Sequence, residues 1–178
     1  MDDYYKIKLY RKNKVIDIYA LVSVNKITHV ELYKWYLGKD NYPFTYIKGS
    51  RVPLHRFIWY INTGFWSNKF LIDDKVVKHY VDHINRDKLD ARDNNLRLAT
   101  PAQNSYNKTT KSTNTIIDFE SNEKIHHIKL KKSGYEVSIC KNKIKNCINL
   151  INTLEEAKQI YNLMALEMFG EFAVLYKI

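Results

Sequence analysis

The pair Asp82-His83 closes the apolar run Tyr80-Val81, and two asparagines follow at set distances: Asn95, twelve residues past the histidine, and Asn104, nine further on. Residues 77–84 are rich in Val and Tyr and read as a short strand, and residues 96–99 read as a second by alternation. Between them residues 85–94 are polar and turn-forming without any apolar period, which predicts a loop joining paired strands. Thr100-Pro101-Ala102-Gln103 then carries three helix-start signals in register: Thr as N-cap, Pro at the first helical position, and Gln three residues after the cap. Asn104 therefore falls in the first helical turn. Neighbours on a strand point to opposite faces, so Asp82 and His83 can border one ligand only where the strand ends or bends.

That set of side chains points to phosphodiester cleavage. The reaction needs a base to activate water, and a divalent cation, held with open positions, to neutralise charge on the phosphorane and the leaving oxygen. One histidine on a strand is usually structural and asparagines in loops usually make turns; the joint spacing, capped helix included, favours the nuclease reading.

Strand, loop, strand and helix in this order, with Val81-Asp82-His83-Ile84-Asn85, Lys88-Leu89-Asp90, Asn95-Leu96-Arg97-Leu98-Ala99-Thr100, Gln103-Asn104 and Asn107, resemble the HNH endonucleases and their ββα-metal core. The resemblance implies that Asp82 and Asn104 are metal ligands, His83 is the general base, and Asn95 braces the loop and orients His83. It also implies one divalent metal, and the two ligand oxygens suit Mg²⁺ or Mn²⁺ better than zinc. The chain departs from the family pattern at Arg86, where many relatives have Gly, and at Ala91, where they have Asn. Both positions put the loop's shape in question rather than its metal shell.

The resemblance extends upstream to the Leu54-His55-Arg56 segment of phage-type HNH proteins, on an extended piece followed by a helix through Ile61. His55 and Arg56 are candidate contacts to a scissile or neighbouring phosphate, with packing and capping as equal alternatives; Arg97 is a further candidate. Residues 1–50 are expected to be an α/β scaffold, with strands over 16–24 and 44–47 and a short helix over 30–36.

Downstream, residues 108–120 are polar and low in apolar content, which marks a linker, placed at 111–122 between an N-terminal nuclease domain (1–110, core about 77–110) and a C-terminal domain (123–178). Three strands are expected over 125–130, 135–140 and 147–151, then a helix with a capping box at Thr153-Leu154-Glu155-Glu156 and a stop at Gly170. Leu154, Ala157, Ile160, Tyr161, Met164, Ala165 and Met168 recur at three- and four-residue steps and give it one apolar face. Three strands and a helix, with Tyr161-Asn162, Ala165 and Gly170-Glu171-Phe172-Ala173, resemble the ethylene-response-factor (AP-two) DNA-binding domain that phage HNH proteins often carry. That family reads the major groove with Arg and Trp; here Lys129, Lys131, Lys132, Lys141, Lys143 and Lys145 stand in the strand region. Lysine neutralises phosphate but lacks the planar fork that reads guanine, so backbone-dominated DNA binding is expected.

The expected fold class is thus α+β: a ββα-metal nuclease core with an N-terminal α/β segment and a C-terminal sheet plus helix. Lys plus Arg total 29 against 19 Asp plus Glu over 178 residues, a net charge of +10. The excess is spread through all three thirds of the chain, as suits a protein lying along double-stranded DNA. No 18-residue apolar run or signal-peptide pattern is present, which predicts a soluble intracellular protein in the compartment that holds the DNA, with no membrane partner. The Lys-, Asn- and Ile-rich composition fits an AT-rich viral or mobile genome. Cys140 and Cys147 are expected as free thiols near the ends of a hairpin, where they could face each other, and His126-His127 lacks a usual zinc spacing with them. A homing-type metal-dependent DNA endonuclease, monomer or homodimer, is the reading; the alternative is a catalytically silent DNA-binding protein that keeps the fold.

Overall fold

In a computed structural model the described residues are 3–66, 69–72, 75–106, 116–118, 123–141 and 143–178. They divide into two compact units, Met1–Pro101 and Ala102–Ile178.

The first unit opens with a strand that sequence reasoning did not pick out, β1 (Tyr4–Arg11), paired antiparallel with β2 (Lys14–Ser23). Its alternation is plain in hindsight: Ile7 and Leu9 are buried while Lys6 and Lys8 are exposed. The helix expected over 30–36 is corrected. Only one turn forms, earlier, as α1 (Ile27–Val30), and Trp35–Leu37 is a strand, β3. Trp35 and Leu37 alternate inward, β3 adds parallel to β1, and the Trp35 indole donates to the Val30 carbonyl at 2.8 Å. Tertiary pairing thereby overrides a run too short to nucleate a helix. Next come β4 (Pro43–Ile47) and β5 (Ser50–Pro53), completing a five-stranded sheet of order β2-β1-β3-β4-β5.

Helix α2 (Leu54–Thr63) buries Leu54, Phe57 and Ile58 against this sheet's core, which holds Leu9, Val22, Val30 and Trp35. Gly64, at φ 76°, ends it in the left-handed conformation and donates to the Tyr60 carbonyl at 2.7 Å. The single strand expected over 77–84 is two: β7 (Lys75–Lys78) pairs with β6 (Lys69–Ile72), and β8 (Tyr80–His83) pairs antiparallel with β9 (Leu96–Ala99). A loop joins β8 to β9, and α3 (Pro101–Tyr106) follows.

Within the expected linker, residues 116–118 form β10 (Ile116–Asp118), paired with β11 (Glu123–Ile125); the rest of 111–122, and Asn107, lie outside the described residues. The strand expected over 125–130 breaks at His126-His127, giving β11 and then β12 (Ile128–Lys131). With β13 (Gly134–Lys141) and β14 (Ile144–Ile151), β12 makes a three-stranded antiparallel sheet. Helix α4 (Leu154–Phe169) packs on it through Ala157, Tyr161 and Ala165, against Ile128, Val137 and Ile139. The Thr153 side chain accepts from the Glu156 amide, and Gly170 is the C-cap. Asn162 holds the C-terminal tail with two 2.8 Å bonds to the Tyr176 backbone. Cys140 and Cys147 are free and do not face each other: their cross-strand partners are Lys145 and Ser138. No helix among the described residues is long and apolar enough to cross a membrane.

Candidate active site

The β8–β9 ladder sets the geometry. Asp82 lies directly opposite Arg97 in register, and its carboxylate oxygen Oδ2 accepts from Arg97 Nε and Nη2, both at 3.2 Å. These bonds are long for charge-assisted ones, so Arg97 balances the charge of a carboxylate that is only 8% exposed. His83 is the last residue of β8, and its ring turns to different neighbours: the His55 ring, 4.8 Å away and edge-on, and Tyr42 at 5.9 Å. Asp82 and His83 thus engage separate partners, as strand alternation requires.

His55 projects from the first turn of α2, buried, with Nδ1 making no hydrogen bond among the described residues. Burial, aided by the neighbouring His83 and Arg56 charges, pushes its pKa down to about 3. Burial also lowers the pKa of His83, against the opposing pull of Asp82, Asp87 and Asp90. Both imidazoles are therefore neutral near pH 7, the form that accepts a proton. Tyr42 covers both rings, 5.1 Å from His55, and Lys88 sits over its face at 4.6 Å. Sequence reasoning missed Tyr42; with no motif around it, only the fold brings it here.

Asn95 ties the loop together. Its Nδ2 donates to the Asp90 carbonyl at 2.7 Å and to Asn85 Oδ1 at 3.0 Å, and its Oδ1 accepts from the Asn85 amide at 3.0 Å. The backbone adds a bond from Ile84 to the Asn95 carbonyl at 2.9 Å, directly beside His83. Asp90, a second residue that sequence reasoning gave no role, is 2% exposed, accepts from Arg92 Nε at 2.8 Å and Nη2 at 2.7 Å, and receives Asn85 Nδ2 at 2.8 Å. Burial acts to raise its pKa, and the Arg92 bonds outweigh it to hold the carboxyl below its usual range. Its place in Lys88-Leu89-Asp90 was the available signal.

The loop is also stitched to the N-terminal sheet. Leu21 donates to the Leu89 carbonyl at 2.7 Å and accepts from the Ala91 amide at 2.8 Å; Ser23 Oγ accepts from the Asp93 amide at 2.9 Å. Ala91 is 1% exposed within the core, and Arg86 adopts φ 67°, the left-handed region where glycine carries no penalty. Both departures from the family pattern thus have visible settings.

Of the other sequence candidates, Arg56 is exposed and donates to the Trp66 carbonyl at 3.1 Å. Asn104 is half-buried in α3, in the second unit. In that unit Lys129 stands opposite Glu136 across β12–β13, and Lys131 pairs with the same carboxylate. Lys131, with Lys145 and Lys129 nearby, holds Glu136 below the usual carboxylate range. Lys132 and Lys143 lie in turns, and Lys141 donates to the Met168 carbonyl at the end of α4.

The model of the HNH endonuclease family matches residues 52–106, from β5 through α3. An uncharacterized HNH endonuclease of Acanthamoeba polyphaga mimivirus is 44% identical over 161 residues, which cover 90% of this chain and 75% of that protein. The chain belongs to the HNH endonuclease family. It is therefore a nuclease, and HNH nucleases act on DNA and generally depend on a divalent metal. No solved structure matches the chain. Among the described residues no three His, Cys, Asp or Glu side chains gather as a ready-made metal site. The Asp82 carboxylate is nonetheless a hard oxygen donor of the kind a divalent cation takes. Arg97's long bonds to Asp82 leave that carboxylate able to take such an ion.

Proposed function

We propose that this nuclease is a metal-dependent DNA endonuclease of homing type that hydrolyses double-stranded DNA, built on the ββα-metal arrangement of residues 77–110. The observation that carries the reading is the buried, neutral His83 at the end of β8, its ring held by His55 and Tyr42, one residue from Asp82. His83 takes the proton of the attacking water. Asn95 fixes the loop that follows His83 and so keeps the imidazole aimed. Asp82 and Asn104 would hold one Mg²⁺ or Mn²⁺. Bound there, the ion supplies positive charge against the phosphorane and the departing 3′ oxygen. Arg97, which shares the Asp82 carboxylate, would add positive charge at the phosphate. His55 acts through His83, as a positioning residue.

The C-terminal domain, 123–178, adds a phosphate-binding surface. Lys129, Lys131 and Lys145 sit around Glu136 on one side of the sheet, and Lys132 and Lys143 extend it through the turns. Lys141 works differently, by holding the end of α4.

Supercoiled plasmid with Mg²⁺, Mn²⁺ or EDTA, exposed to wild type and His83→Ala, tests the reading. Cutting should depend on metal and fall at least about a hundredfold in the variant, with DNA binding retained in a mobility shift. Undiminished cutting by His83→Ala would remove His83 from the chemistry.

A further inference from the structure

Beside α2 lies a cleft of about 610 Å³ that the nuclease chemistry does not use. Its rim carries Lys48, Arg51 and Arg56, and its wall is aromatic, with Phe57, Tyr60 and Trp66. The Trp66 indole stacks on the Tyr60 ring, centroids 4.1 Å apart and planes 16° from parallel. Unlike the buried Trp35, Trp66 is 39% exposed, and Phe65 before it is 63% exposed. Gly64 makes this possible by turning the chain back over α2. Arg56 is fixed in the wall by its bond to the Trp66 carbonyl. Arg51 lies over the Phe44 ring and shares its charge with Asp40, which leaves Lys48 and Arg56 as the stronger cations of the rim.

A second, smaller cavity of about 110 Å³ has Arg56 and Trp66 in its lining too, together with His55 and His79. The two spaces share a wall, and the smaller one leads to the histidine that packs on His83.

We infer that the cleft binds one unpaired nucleotide of DNA, its base stacked on Trp66 and its phosphate held by Lys48 and Arg56, next to the phosphate that is cut. A flat indole backed by a second ring is a stacking platform for any base, and cations at its rim track the backbone. A volume within about 300–1,000 Å³ suits a ligand of this size. In a regular duplex both faces of a base are already covered, so filling the cleft requires a nucleotide drawn out of the stack. The enzyme accordingly favours DNA with a bulged, mismatched or single-stranded nucleotide beside the cleavage position. The inference rests on the nuclease reading for the identity of the polymer and for the place of the cut.

The test uses the full chain in EDTA with a short single-stranded oligodeoxynucleotide carrying one 2-aminopurine, compared with its duplex and its ribo-oligonucleotide counterpart. Wild type should quench the probe and bind the single strand more tightly than the duplex or the RNA. Trp66→Ala should lose the quenching and about tenfold in affinity, while Trp66→Phe keeps both in large part. Where Trp66→Ala fails to fold by circular dichroism, Lys48→Glu decides the point by weakening the single strand more than the duplex. Unchanged quenching in Trp66→Ala, equal loss for both strand forms in Lys48→Glu, or tighter binding of RNA would overturn the inference. Metal-dependent plasmid cutting without any quenching sinks the cleft and leaves the nuclease standing; quenching without cutting does the reverse.

Discussion

Asn95 does more than its neighbours suggest. One buried amide satisfies the Asp90 carbonyl, the Asn85 side chain and the Asn85 amide; its removal takes this partner from the Asp90 carbonyl and the Asn85 amide, while Asn85 Oδ1 keeps the Asp87 amide. Asn95→Ala should cost about 2–3 kcal/mol, the sum of lost bonds and unmet desolvation, and should lower cleavage more than DNA binding. Chemical denaturation beside a cleavage assay checks this; a change under about 0.5 kcal/mol would mean the loop is held elsewhere. The pairing of β8 with β9 was legible because alternation and a polar loop along a hairpin are local information, whereas the bracing role of Asn95 came only from the family resemblance. Tyr42 and Asp90 were not legible, since one reaches the histidines through the five-stranded sheet and the other is partnered by an arginine two residues away whose side chain had to fold back.

At the scale of elements, the well-read pieces are those with chemical punctuation. Helix α4 was marked by Thr153 and Gly170, and the β8–β9 hairpin by its polar loop. The misread pieces lack such marks. Trp35 to Leu37 pairs with a distant strand, and the break at His126-His127 is answered by the Tyr176 hydroxyl fifty residues on, which accepts from the His126 amide at 3.0 Å. Arg86 offers a clean trial of local backbone cost. At φ 67° a non-glycine residue carries about 1–2 kcal/mol of strain, partly offset in the glycine variant by extra freedom of the unfolded chain. Arg86→Gly should therefore raise stability by up to about 1 kcal/mol with the loop's bonds intact, read as a higher urea midpoint at unchanged slope. A lower midpoint would show that the Arg86 side chain contributes more than its backbone costs.

For the whole molecule, the buried His55 makes stability depend on acidity. Its folded pKa of about 3, lowered first by burial and then by the His83 charge, lies below the unfolded value of about 6.5. The unfolded chain binds the proton first, so the stabilisation is complete above about pH 6.5 and drains away as pH falls toward 3. Asp90 and Asp40, both held below their usual range, add losses of the same sign at the acid end. Urea midpoints should fall steadily from pH 7.5 to 4.5, and His55→Phe should flatten the upper part of that decline. A midpoint constant across the range would mean that His55 is solvated in solution.

The bonds between Leu21 and the loop at Leu89 and Ala91 use only main-chain atoms. Main-chain atoms are the same whatever side chains surround them, so the supporting sheet is free to drift while its grip on the loop persists. The family model spans residues 52–106, so it takes in the gripped loop and leaves out Leu21 and the strand that grips it. For this lineage a recognisable motif understates the enzyme: cut out at its recognisable borders, it would leave its own foundation behind.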